Sequence, residues 1–248
     1  MRHLLRVALA LLLGYGAYGS HGAGAHASEI GVTPVVVQLD RLNDRAAVTV
    51  VNNGSEPVIM QVEMVGWKRT DAGDEDVPTV DMVVSPSVFT VRPGGSQLVR
   101  VGLRRNLPLQ REGAYRIVLR EVPPPPSADN LRISGQVRVL IALRVPVYVA
   151  PARVVRAAQW RALWENDGTV TASVRNEGNG HIRVGRLQVR SSNGRVTPAE
   201  EAPVAVAFPG GRQSFRFPGL AGGGNQPTTL EVMTNNGPQI GPITVAQR

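Results

Sequence analysis

The chain holds four histidines, no cysteine and a single lysine, which leaves little material for catalysis. His3, His21 and His26 fall within the first 27 residues, so His181 alone serves the rest of the chain. One histidine cannot build a metal cluster, and its expected place is a solvated strand edge. Without cysteine there is no thiol nucleophile, thiolate metal site or disulfide. There is no Gly-x-Ser-x-Gly elbow, and Gly222-Gly223-Gly224 lacks the following Lys-Ser/Thr that a phosphate loop requires. Asp71, Asp74, Glu75 and Asp76 crowd one polar stretch whose plain reading is a solvated hairpin tip. The residues therefore argue against an enzyme and for neither cofactor nor metal. The formal charge is +8, and all basic side chains except Lys68 are arginine, the residue suited to fixed, bidentate capture of carboxylates. The charge is scattered through apolar runs, with no aromatic-rich or glycine-rich recognition motif, which argues against nucleic acid.

The elements that position these side chains are strands. Short β-rich runs recur every 8–15 residues between turn signals, the pattern of a β-sandwich. Expected strands are Val32–Leu39, Ala46–Asn52, Val58–Trp67, Met82–Ser85 with Val88–Val91, Gln97–Leu103, Gly113–Val122 and Leu131–Val149. Seven more follow beyond Pro151: Gln159–Glu165, Val170–Asn176, His181–Ser191, Val204–Phe208, Ser214–Phe217, Thr228–Thr234 and Ile243–Ala246. Pro93-Gly94-Gly95 and Pro209-Gly210-Gly211 each precede a strand, so the two halves look related. The fold class is all-β, two immunoglobulin-like sandwiches. The proline run 123–126 cannot pair in a sheet and marks an exposed loop.

Before the first strand, Arg2 and Arg6 precede the apolar run Val7–Leu13, and Ala25-His26-Ala27 forms a small-residue cleavage site. This has the layout of a Sec-type signal peptide, with an apolar core too short to span a bilayer. The expected division is residues 1–27 signal peptide, 28–150 first domain and 151–248 second domain, with no membrane insertion.

The run from Leu131 is unusual. Leu131, Ile133, Gly135, Val137, Val139, Ile141 and Leu143 alternate with residues that begin polar, Arg132, Ser134, Gln136 and Arg138. Thirteen such positions span about 40 Å at roughly 3.3 Å per residue, far beyond an ordinary strand. A strand that long bridges two sheets or exists to be paired by another chain.

Several spaced motifs resemble the periplasmic pilus-assembly chaperones of chaperone–usher pathways, the PapD-like superfamily. Ser85-Pro86, Phe89, Pro93-Gly94, Gln97 and Val99-Arg100 are similar to that family's SPpxFxLxPGxxQxVR stretch. Glu112, Tyr115-Arg116, Leu119 and Glu121-Val122-Pro123 are similar to its ExxYRxxLxEvP stretch, and Asn176–His181 to the start of its second-domain signature. Trp67 and Pro34 look more like the archaic, Csu-type branch than the P- and type 1-pilus branch.

The resemblance implies two sandwiches in a boomerang arrangement, a periplasmic location, and donor-strand complementation. In that mechanism the chaperone lends a strand to pilus subunits that lack their last one, caps them and delivers them to an outer-membrane usher. Each large side chain inserted is worth about 1.5–3 kcal/mol. The donors would be Val137, Val139 and Ile141, flanked by Leu131, Ile133 and Leu143. Leu143 to Val149 would belong to the chaperone's own core, with Arg144 at the junction.

Two basic positions that anchor the subunit's terminal carboxylate in other members fall here near Val36 and Pro146, neither of them basic. Arg116 and then Arg144, both flanked by apolar residues, are the substitute candidates. The alternative for Arg116 is an internal pair with Glu112 or Glu121. Arg100 is expected to be structural, pairing with Glu112, and Pro93 and Gly94 to form a turn. The free protein could hide its donor strand by self-association. The competing function is a secreted structural or adhesive two-sandwich protein, a pilin-like surface module.

Overall fold

The computed structural model describes residues 29–70, 73–105, 109–123, 139–197, 200–219 and 228–245. The expected signal segment and the donor positions Leu131, Ile133 and Val137 lie outside the described residues.

The first domain contains β1 (Ile30–Thr33), β2 (Val37–Leu39), β3 (Arg45–Asn52), β4 (Val58–Thr70), β5 (Gly73–Pro78), β6 (Met82–Ser85), β7 (Val88–Val91), β8 (Ser96–Leu103), β9 (Gly113–Val122) and β10 (Ala142–Val149). The second contains β11 (Ala158–Trp164), β12 (Thr169–Asn176), β13 (Ile182–Ser191), β14 (Glu200–Ala207), β15 (Arg212–Pro218), β16 (Thr228–Thr234) and β17 (Gly237–Val245). Period-two alternation drives this assignment. In β12, Val170, Ala172 and Val174 are fully buried while their neighbours are not.

In the first sandwich the sheet β1-β3-β8-β6 faces a sheet in which β2-β10-β9-β4-β5 are neighbours and β7 pairs with β4. Val48, Val50 and Val99 meet Met60, Ile117, Leu119 and Val147 between the layers. The second domain follows one hydrogen-bonded path, β14-β13-β16-β17-β11-β12-β15, around a separate core built on Trp160, Trp164, Leu187 and Leu230.

Two expectations change. The run Val32–Leu39 is not one strand. Pro34 has no N–H to give a ladder, so the chain leaves β1, antiparallel to β3, and resumes as β2, parallel to the end of β10. The stretch around Asp74 belongs to a hairpin but not to its tip: β4 continues to Thr70, and Gly73–Pro78 returns along it as an edge strand.

The two domains share one corner. Asn52 and Asn176, both buried, end β3 and β12. Asn52 Nδ2 donates to the carbonyls of Glu56 (2.7 Å) and Val91 (3.0 Å), and its Oδ1 accepts from Gly54 N–H (3.0 Å). Asn176 repeats this with Gly180, Ala207 and Gly178. The Pro-Gly-Gly turns complete it: Gly94 and Gly210 adopt φ of 66° and 79° and donate to the Asn52 and Asn176 carbonyls. The expected turn role of Pro93 and Gly94 thus gains a partner, the asparagine.

Replacing Asn52 by alanine strands the buried Val91 carbonyl, the part-buried Glu56 carbonyl and the Gly54 N–H. We expect a loss of about 1–3 kcal/mol, read as a lower urea midpoint at unchanged slope, with Asn176→Ala giving a matching loss in the second domain.

Candidate functional site

The first domain's last strand, β10, presents two rows of side chains. On the core-facing row Val149, Val147 and Val145 are buried and Leu143 is partly exposed; in the chain just before the strand Ile141 is partly exposed and Val139 is 51% exposed. Leu140, between them, is 45% exposed. One edge of β10 is held by β9 along its whole length, whereas β2 covers the other edge only over Val147–Val149. Among the described residues no strand pairs with that second edge from Ala142 to Pro146. The root is pinned: Glu121 N–H donates to the Ile141 carbonyl (2.9 Å), and Ile141 N–H donates to the Glu121 carboxylate (3.3 Å).

The outer face of the same sheet carries a ladder of alternating charge across four strands. Arg144 Nε on β10 donates to Asp76 on β5 (2.8 Å), whose other oxygen accepts from Arg116 Nη1 on β9 (2.8 Å). Arg116 Nη2 donates to Asp74 (2.6 Å), and Asp74 accepts Arg69 Nε from β4 (2.7 Å). Arg69 Nη1 then donates to the Val206 carbonyl in the second domain. All four carboxylate oxygens are used. Arg116 lies 3.9 Å above the Trp67 ring centre, a cation–π contact, and its side chain is only 12% exposed. Arg144 is 48% exposed, and among the described residues its two Nη atoms hold no partner.

Burial alone would raise the pKa of Asp74 and Asp76. Hydrogen bonds and attraction from Arg69 and Arg116 for Asp74, and from Arg144 and Arg116 for Asp76, outweigh it and hold both below the ordinary value. The reading of these carboxylates as a solvated tip is therefore corrected. Glu112 and Glu121, the expected internal partners of Arg116, bond elsewhere.

Beside the ladder the domains meet through aromatic rings. Trp67 packs edge-on against Phe208 at 4.7 Å, and Tyr148 stacks on His181 at 3.7 Å. Glu112 accepts the His181 backbone N–H at 2.6 Å, and the same oxygen lies 2.7 Å from Nδ1. With Asn235 Nδ2 3.3 Å from Nε2, the network assigns the proton to Nδ1. Desolvation, with help from Glu112, raises the Tyr148 phenol to about 12 and keeps it neutral. Asn179 ties the linker by donating to the carbonyls of Gln110 and Arg153 and accepting from Val155 N–H. Gly178 is required because a Cβ there would sit 2.4 Å from the Val155 carbonyl oxygen.

His181 is thus a buried junction residue rather than a solvated edge. Glu112 pairs with it rather than with Arg100, which is exposed on β8. Sequence reasoning singled out Glu112 and the Asn176–His181 stretch without seeing that they meet. The signal was the placement of the chain's one later histidine at the end of a turn rich in Asn and Gly.

The sequence profile of the pili and flagellar-assembly chaperones, PapD N-terminal domain, matches residues 29–155, just over half the chain, and the protein belongs to that family. No curated protein matches the sequence. Among solved structures, the CsuC–CsuE chaperone–tip adhesion subunit pre-assembly complex of archaic Csu pili from Acinetobacter baumannii is similar, with 15% identity and a TM-score of 0.58. That match covers 88% of this chain and 99% of the other. The SafA pilin–SafB chaperone complex of Salmonella enterica gives 14% identity, a TM-score of 0.59, and coverage of 88% and 98%. The CupB2 chaperone of Pseudomonas aeruginosa gives 18%, 0.53, and 85% and 98%. At these identities the likeness establishes the fold: two β-sandwich domains of the pilus-chaperone type.

Two outcomes follow from the geometry. The stabilisation from Asp74 and Asp76 is complete above their unfolded value near 3.8 and is lost as pH falls through their lower native values. Thermal melts from pH 5 to about pH 2 are expected to show a shallower loss of stability in the double variant D74N/D76N than in the parent. Replacing Glu112 by alanine leaves the His181 donors unpaired at the junction. Protease cleavage in the linker 151–157 is expected to accelerate while each domain keeps its own unfolding transition.

Proposed function

We propose that this protein is a periplasmic chaperone that binds, folds and caps pilus subunits by lending them its β10 edge, and that it passes them to an outer-membrane usher. The observation that carries this reading is the exposed apolar chain leading into β10, Val139 and Ile141, beside an edge of β10 that no described strand pairs. Backbone groups from Ala142 to Pro146 are available for β-augmentation. Val139 and Ile141 then stand where a subunit missing its last strand needs apolar side chains, and the alternation extends the same row to Leu131, Ile133 and Val137. Leu143 forms the transition into the chaperone's own core. No chemistry on the subunit is required, so the role is binding rather than enzymatic.

The subunit's terminal carboxylate is held by the arginine ladder. Among the described residues Arg69, Arg116 and Arg144 bond two carboxylates, Asp74 and Asp76, three positive charges against two negative ones. Arg116 is sunk and saturated, so Arg144, half-exposed on the donor edge itself, makes the outward contact. Arg116 and Trp67 support it from behind. The arginines stand in for the basic residues missing at Val36 and Pro146.

Val139→Asp places a charge in the donor row at an exposed position, so the free protein should fold normally. Co-expressed with a pilus subunit that the parent protein recovers, the variant is expected to lose subunit recovery from the periplasm by tenfold or more. Undiminished recovery with a folded variant rejects the donor role.

A further inference from the structure

The carboxylates that hold the arginine ladder occupy the groups that a partner's carboxylate would use. Asp76 takes Arg144 through Nε and Arg116 through Nη1, so one aspartate bridges the half-exposed arginine and the sunk one. Asp74 closes the other side of Arg116 but does not touch Arg144. Both lie on β5, an edge strand of six residues whose sequence, Gly-Asp-Glu-Asp-Val-Pro, gives it little to contribute to the core. Asp74 bonds Arg69 opposite it on β4 and reaches over that strand to Arg116 on β9, whereas Asp76 bonds Arg116 and Arg144 on β9 and β10, strands with which β5 shares no ladder.

We propose that Asp76 is an affinity- and specificity-setting residue of the carboxylate site: an internal carboxylate that competes with the incoming one for Arg144. This rests on the reading of Arg144 as the outward anchor. A carboxylate arriving at the open Nη edge of Arg144 meets the attraction of one guanidinium and, a few ångströms behind it, the repulsion of Asp76. The site therefore accepts a carboxylate that also brings a pairing strand along β10. A free anion, with no strand to contribute, is discriminated against. Holding affinity down in this way suits a protein that must release what it binds.

The test uses a short synthetic peptide of alternating valine and threonine, made once with a free C-terminal carboxylate and once as the amide. Binding to the full chain is measured by calorimetry. For D76N, affinity for the acid form is expected to rise about threefold to tenfold, as removal of one nearby charge allows, with the amide form unchanged. D74N, which leaves Arg144 untouched, is expected to give a smaller rise and keeps the question open to measurement if D76N folds poorly. R144A is expected to erase the difference between acid and amide.

If R144A erases that difference but D76N tightens both peptides equally, or weakens the acid form, Asp76 is structural only and the proposal is rejected while the anchor stands. If parent, D76N and R144A all bind acid and amide alike, the anchor reading fails and takes the proposal with it. Acid binding that appears only in D76N supports the proposal in its strongest form.

Discussion

A β-strand shows its side chains in two rows, and each row needs something to lie against. β10 meets this condition at one end only. From Val145 to Val149 its inner row is packed against Met60, Ile117 and Leu119, and its outer row ends at Tyr148 beneath His181. Toward Val139 the inner row has no core left. The sandwich cannot close around it, because β2, the strand on that flank, covers only three residues of β10 before the chain turns away. The asymmetry is set by Pro34, which splits the first strand between two sheets. In the second domain the first and last strands meet in the same way: β11 and β17 run parallel over three residues, Ala162–Trp164 against Ile243–Val245.

An open edge beside a second domain is useful only if the second domain is held in place. The junction does this with few groups. One oxygen of Glu112 accepts two donors from His181, and the imidazole lies flat on Tyr148, a residue of β10 itself. Arg69 reaches across to Val206 while belonging to the ladder that ends at Arg144. This edge is thus connected to the second domain at two points on the outer face of its sheet: through Tyr148 at one end and through alternating charges at the other. Charge pairs of this kind are individually weak when exposed, but Arg116 is sunk beneath Trp67 with both of its Nη groups paired.

Much of this was legible in the sequence. Alternation gave nearly every strand of the second domain to within a few residues, and the Pro-Gly-Gly turns announced their shared role. The places that were misread have a common physical cause. Asp74 and Asp76 look like loop residues because charge at period two carries no hydrophobic signal. Of their cross-strand partners only Arg69 is near in sequence; Arg116 and Arg144 lie 40 to 68 residues away. His181 is polar and follows a glycine, the local grammar of a turn, and only Glu112, 69 residues earlier, makes its burial affordable. Pairings over such separations leave no periodic trace.

A long unpaired edge is a hazard, since it invites any other strand. The described part of this edge carries its own guards. Pro146 offers no N–H at the inner end. Arg144 places a charge on the outer row. Glu121, buried against Ile141, keeps the root of the strand from sliding. These features narrow the acceptable partner rather than closing the edge. A strand that pairs here must tolerate a missing donor opposite Pro146, must supply a groove for Ile141 and Val139, and gains most if it brings a negative charge to Arg144. On the function proposed above, an incomplete sandwich ending in a carboxylate supplies both the groove and the charge, whereas a lone aggregating strand supplies neither. The selectivity of the edge therefore rests as much on what surrounds the apolar row as on the row itself.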